Sequence, residues 1–377
     1  MKIYPYHKPE DILLGNKLDS IEFLSPTLQN LTHLNIETIP VFTPDDSFKF
    51  LHEAAIIEFK GVLYASWYNC IETELRGYTP ICGKRSYDNG KTWAEMEILA
   101  QDESCHILYC PPVYGICDDK LYMFMNQMVG ADLIHALDLY VLNEETDTFE
   151  LVWSRPIPFK LNTNVVTLPN GKLLLPGRVA ELDGFPNTPA VLISDSGKID
   201  AEWRLVKIAP DGSLPDGDKL IHPEISVIIQ NHTLYMFNRN DRKRVPLVYL
   251  SKDWGESWSP LLCHDIPYIN SKIYTGSLSN HKHFLIANEY VKDSKRSRLV
   301  AYFTDEDTME FNKRLVLTDY PLDPHQGEPY ACHYPAVCES NGKLYIIASI
   351  DYHGVGRGAI LLIVNIEDID SNTSAQT

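Results

Sequence analysis

The chain has 377 residues, 44% of them hydrophobic, and 33 Lys and Arg against 51 Asp and Glu give a formal net charge of −18. That balance argues against nucleic acid and anionic membrane surfaces as partners, and no stretch approaches the roughly 18 apolar residues of a membrane-spanning helix. The 24 Pro, 20 Gly, 21 Tyr and 6 Trp suit a turn-rich all-β protein with ample material for a core.

In chain order, Met1 to Asp11 carries a Lys but no apolar run after it, so no secretory signal is expected and the chain reads as cytoplasmic. Residues 1–45 read as an N-terminal arm. Within it His33 to Val41 alternates in strand fashion, while a short helix near Glu10 to Leu18 in a capping subdomain is the alternative use of the arm. The eight Cys show no CxxC pairing and read as free thiols rather than zinc ligands or disulfides. No HExxH spacing occurs, and neither metal nor cofactor is expected.

A short strand, an Asn/Gly/Lys turn and a Leu/Tyr-rich strand then recur six times, around Gly61, Lys120, Gly171, His232, His281 and Gly342. Repeats at intervals of about 50 to 60 residues predict a β-propeller of six four-stranded antiparallel blades. After the sixth turn only Ala359 to Val364 remains as a strand, so the N-terminal strand is expected to close the ring and cover an edge. No linker is evident: 1–370 reads as a single domain, followed by a polar tail over 371–377.

A second repeat is sharper. Ser86-Tyr87-Asp88-Asn89-Gly90-Lys91-Thr92-Trp93 and Ser251-Lys252-Asp253-Trp254-Gly255-Glu256-Ser257-Trp258 both read Ser-x-Asp-x-Gly-x-Ser/Thr-Trp. Gly supplies positive φ, and Asp and Ser bond the turn's own amides, which gives these Asp a structural role. Degenerate copies fit at Ser194 to Gly197 with Trp203 and at Thr304 to Asp307 with Phe311. The pattern resembles the Asp-box of the sialidase superfamily, which lies between the third and fourth strands of a blade, on the rim away from the active site.

Propeller inner strands converge on the axis, so their starts and the loops after the second strands line one funnel. Those positions hold His52-Glu53, His222-Pro223-Glu224 and His333-Tyr334, with Trp67 and Asn69, Arg76, Arg178, Arg239, Tyr274, Asp351 and Arg357. Hydroxyl-rich sugars pair with carboxylates and guanidinium groups and stack on aromatic rings, so a small carbohydrate is the expected partner. The oligomeric state is not legible.

The resemblance extends over about Leu51 to Asp368 and implies roles position by position. Glu224 and Arg239 match the Glu and Arg of the fourth sialidase blade, and Tyr334 matches the nucleophilic Tyr of the sixth. Two of the family's three carboxylate-clamping Arg are replaced, by His52-Glu53-Ala54 and by Tyr274-Thr275-Gly276, which points away from a true sialidase. His52 with Trp67-Tyr68-Asn69 looks instead like propeller enzymes that release rhamnose from uronate-bearing glycans or eliminate at uronates, relatives that usually have seven blades.

The expectation is an exo-acting glycoside hydrolase. Glu224 and Tyr334 form the nucleophile and base pair, and His52 or Glu53 is the acid. Arg239, Arg178, His222, His333, Arg76, Trp67, Asn69 and Tyr274 bind substrate. A uronate lyase and a non-catalytic carbohydrate-binding propeller are the alternatives. Bland roles compete with each: a structural ion pair for Glu224 with Arg239, core packing for His52, His333 and Tyr334, a solvated rim for Arg76. Because adjacent strand residues face opposite ways, only one of His52 and Glu53 is expected to enter the funnel.

Overall fold

The structure is a computed structural model describing residues 1–6, 28, 30–131, 133–179, 187–209, 214, 217, 219–239, 241, 246–291 and 296–371. The alternative helix near Glu10 to Leu18 and the tail from 372 onward lie outside the described residues. Ser371, expected to open that tail, instead ends the helix Ile366–Ser371.

Strands form an all-β propeller. Each of the six turns falls between two antiparallel strands that lead from the axis outward, beginning with Phe50–Phe59 and Val62–Cys70. Polar Asn, Gly and Lys suit these turns because several turn residues have φ in the left-handed region, including Gly61, Asn231, His232, His281 and Asn341. Long apolar strands such as Gly356–Asn365 follow from burial on both faces between neighbouring sheets.

The hydrogen bonding departs from six separate blades. Four sheets stand apart as blades, with inner strands beginning at Leu108, Phe159, Ile225 and Tyr274. The first and last repeat units instead join in one eight-stranded sheet. The join is a single parallel bridge between Arg357 and Phe50, reinforced by the Arg357 amide donating to the Lys49 carbonyl at 2.8 Å.

The arm is also used differently from expectation. Glu37–Phe42 pairs antiparallel with Gly356–Asn365 and supplies the strand missing beside it. His33, expected to open that strand, instead forms with Thr32 a short strand parallel to Phe311–Asp319 of another sheet, and Ile3–Pro5 extends a third. Short arm segments thus cover three outer edges, the groups most prone to unwanted pairing.

Both Asp-boxes form as expected, after the strands Ile81–Ser86 and Leu247–Ser251. Asp88 accepts from the Thr92 amide at 2.9 Å and its hydroxyl at 2.7 Å, while the Gly90 amide donates to Ser86 Oγ at 2.8 Å. Asp253 accepts from Ser257 in the same way, and the bonds from Thr92 hold the Asp88 carboxyl at about 2. The degenerate copy differs: Asp195 pairs with Lys172 and Arg204 instead of bonding its own turn. Lys172, in a first-to-second-strand turn, also reaches Glu256 at 3.1 Å, so these turns and the Asp-boxes share one rim. All eight Cys are free thiols.

Gly90 has φ +85°, and a Cβ there would lie 2.5 Å from Leu361 Cδ2. Gly90→Ala is expected to lower unfolding free energy by about 2 kcal/mol through left-handed strain and overpacking. Urea denaturation checks this; a midpoint unchanged from the parent would contradict the packing described.

Candidate active site

At the opposite end from the Asp-box rim, inner-strand starts and second-strand ends bring charged side chains together. The strand Ile225–Gln230 follows directly from Glu224, and Thr233–Asn238 leads into Arg239. Both side chains are buried, and Arg239 Nη1 donates to Glu224 Oε2 at 2.6 Å. The same nitrogen donates to the Tyr334 hydroxyl at 2.5 Å. Arg239 Nε and Nη2 are taken by Asp241, which also contacts His222 Nδ1 at 2.5 Å. His222 itself stays exposed on the lip.

Two inner strands break their alternation where chemistry is needed. The pairing shifts register between His52 and Ala55, with Glu53 at φ 47°, and between His333 and Ala336, with Tyr334 at φ 56°. These are β-bulges, which re-aim side chains at a strained residue. The expectation that only one of His52 and Glu53 enters the site is therefore overturned, because alternation holds only for an unbulged strand. His52 packs on Tyr334 with ring centroids 4.0 Å apart and on His333 at 5.6 Å, with Nδ1 3.3 Å from Ser349 Oγ. Glu53 accepts from Lys272 Nζ at 3.1 Å.

Around the Tyr334 ring stand three cations: Arg239 at 5.8 Å, Lys272 at 5.8 Å and Arg296 at 5.5 Å from its centroid. Burial pushes the Tyr334 hydroxyl up, and the Glu224 charge adds to that while Arg239 opposes it. Burial would also raise Glu224, but Arg239, Lys272 and Arg178 override it and hold the carboxyl low. His333 Nε2 lies 3.2 Å from Asp351, which also holds Arg357. Burial keeps His333 at about 4 and His52 well below the usual imidazole value, so both are neutral near pH 7.

The arrangement can present a phenol, a carboxylate and neutral imidazoles to a ligand among fixed cations. Among the described residues no three His, Cys, Asp or Glu side chains converge as metal ligands. His281 and His283, spaced as His-x-His, turn to different partners: Asp307 for one, Ser277 and Gln230 for the other.

Residues 61–346 match the family described as BNR repeat-like domain. The chain belongs to that family. No curated protein matches the sequence. Among solved structures, Trypanosoma rangeli sialidase is similar at 15% identity and a TM-score of 0.65, covering 88% of this chain and 59% of its own. Hadza microbial sialidase Hz136 is similar at 12% and 0.66, covering 86% of this chain and 67% of its own. A Dyadobacter fermentans protein of unknown function gives 12% and 0.67, covering 87% and 97%. The chain thus spans about three fifths of the Trypanosoma enzyme, and it is a BNR repeat-like β-propeller that shares the fold of these sialidases while well diverged from them in sequence.

Within this BNR repeat-like propeller, several expected binding residues stand apart from the cluster. Trp67 is fully buried in the core against Phe42, with no face for a sugar. Asn69 is likewise buried and bonds Met96 Sδ at 3.7 Å. Tyr274 packs with Leu278 and Phe284 in the same core, and Arg76 lies exposed in a surface loop. Trp67, Asn69 and Tyr274 sit on strands whose uninterrupted alternation turns them between sheets.

Lys272 and Arg296 are functional candidates that the family pattern alone does not reveal. Arg296 lies in the loop after His283–Asn288, a funnel-lining position, and Lys272 lies two residues before Tyr274–Ser277. A search of every inner-strand start and second-strand loop for basic residues would have found both.

His264 at about 3 and His283 at about 4 join His52 and His333 as histidines whose neutral form burial favours. Such a group takes up a proton on unfolding, so its contribution is complete above about pH 6.5 and is lost as pH falls toward its native value. Stability is expected to fall from pH 6.5 to 4 by about 1.4 kcal/mol per pH unit for each histidine titrating. Melting temperature measured across that range checks the sign; a rise on acidification would contradict it.

Proposed function

We propose that this chain is an exo-acting glycoside hydrolase that releases a terminal sugar from a small oligosaccharide or glycoside, with Tyr334 as nucleophile. The observation that carries the reading is the buried contact joining Glu224, Arg239 and Tyr334, with Tyr334 held by a bulge at φ 56°. The Tyr334 oxygen bonds the anomeric carbon as the bond to the leaving oxygen breaks. Its proton passes to Glu224, and Glu53, which takes up a proton as the bound substrate displaces Lys272 from it, protonates the leaving oxygen. Water then attacks the anomeric carbon, frees Tyr334 and restores both protons. Arg239, Lys272 and Arg296 offset the charge that develops on the phenolic oxygen.

In this reading the eight-stranded sheet counts as two blades, so the ring is six-fold, and 1–370 acts as one cytoplasmic domain. The similarity of fold to sialidases supports glycosidase chemistry, while sequence identities of 10–15% leave the sugar open.

One observation favours elimination at a uronate as the second reading. Neutral His52 lies against Tyr334, which suits a base that removes the proton beside a carboxylate while Tyr334 protonates the leaving oxygen.

Purified protein assayed on aryl glycosides and uronate-bearing oligosaccharides, followed by released sugar and by ultraviolet absorbance, separates the two. Hydrolysis predicts sugar release without new absorbance, and a fall of about 10²- to 10⁴-fold in kcat for Tyr334→Phe and Glu224→Gln. An absorbing unsaturated product would establish elimination. Turnover unchanged in both variants would refute the site.

A further inference from the structure

Lys160 and Arg178 stand on the third unit's sheet, on Phe159–Leu161 and Leu173–Val179, as directly opposed cross-strand partners. Residues so opposed share one face, where like charges repel. The face is fixed by parity: Leu174 packs with Ile225 and Val227, so Arg178 is turned toward the sheet that carries Glu224. Arg178 is close enough to lower the Glu224 carboxyl.

Neither cation is balanced by a carboxylate among the described residues. Arg178 is 7% exposed and Lys160 8%. Arg178 Nε and Nη1 are buried without a hydrogen-bond partner, and neither residue has an ion pair among the described residues. Among the described residues, two carboxylates of the site are already committed, Glu224 to Arg239 and Glu53 to Lys272. Two buried, opposed, unpaired cations are costly in the ligand-free fold. A fold that keeps such a pair at the mouth of a funnel has a use for an anion there.

We propose that Lys160 and Arg178 form an oxyanion subsite that takes a carboxylate or sulfate ester carried by the sugar substrate, which rests on the glycosidase reading above. Arg178 offers unpartnered N–H donors on two edges of its guanidinium, and Lys160 adds a point charge on the same face of the sheet. The subsite is separate from Arg239, whose donors are filled by Glu224, Tyr334 and Asp241. The chain therefore selects acidic sugars although its net charge of −18 disfavours anions at long range.

Thermal shift of the full chain, at ionic strength matched with sodium chloride, tests this with glucuronic acid, glucose 6-sulfate and glucose. One or both acidic sugars should raise the melting temperature and glucose should not. Affinity should fall about tenfold or more in Arg178→Met and in Lys160→Met. Both variants should melt no lower than the parent without ligand, since each removes an unpaired buried charge. Equal response to glucose and the acidic sugars, no response to any of them, or ligand-free destabilisation of both variants would overturn the subsite. Binding is read without turnover, so an inactive protein that discriminates acidic sugars sinks the hydrolase and keeps the subsite, and hydrolysis of neutral glycosides with no acidic preference does the reverse.

Discussion

The funnel depends on one buried guanidinium. Arg239 serves Glu224, Tyr334 and Asp241 at once, through groups that arrive from different sheets of the ring. A cation so enclosed is stable only while those oxygens surround it, and they in turn are fixed only while it holds them. The constraint runs outward into the fold. Tyr334 reaches Arg239 only because Pro329–Ser340 is bulged, and Glu53 reaches Lys272 only because Phe50–Phe59 is bulged in the corresponding place.

These bulges account for most of the difference between what the sequence conveyed and what the structure contains. Turn chemistry is local, and it was legible: Asp88 with Gly90, Asp253 with Gly255 and the Asn-Gly-Lys turn at Gly342 each announce a hairpin through residues within eight positions. Glu224, Arg239 and Tyr334 were legible because ends of inner and second strands must converge. A bulge leaves no comparable mark, since Glu53 and Tyr334 are non-glycine residues that sit at positive φ where the pairing shifts register. Strict alternation consequently misjudged His52 and Glu53.

Long-range pairing was the other hidden quantity. Trp67 and Asn69 are chemically suited to a sugar, but a continuous buried strand directs them into the core. Arg296, Lys272 and Lys160 carry no motif, and only the assembled ring brings them near Glu224, Tyr334 and Arg178. Hydrogen bonding across Arg357 and Phe50 merges two repeat units, a feature no repeat count contains. The Asp-box rim and the charged end divide labour, with self-bonded carboxylates at one and carboxylates shared between sheets at the other.

A double-mutant cycle on Glu224→Gln and Tyr334→Phe, read by chemical denaturation, tests the shared guanidinium most directly. If Arg239 binds the two into one unit, the effects are coupled by about 1 kcal/mol or more. Strict additivity of the two substitutions would contradict it.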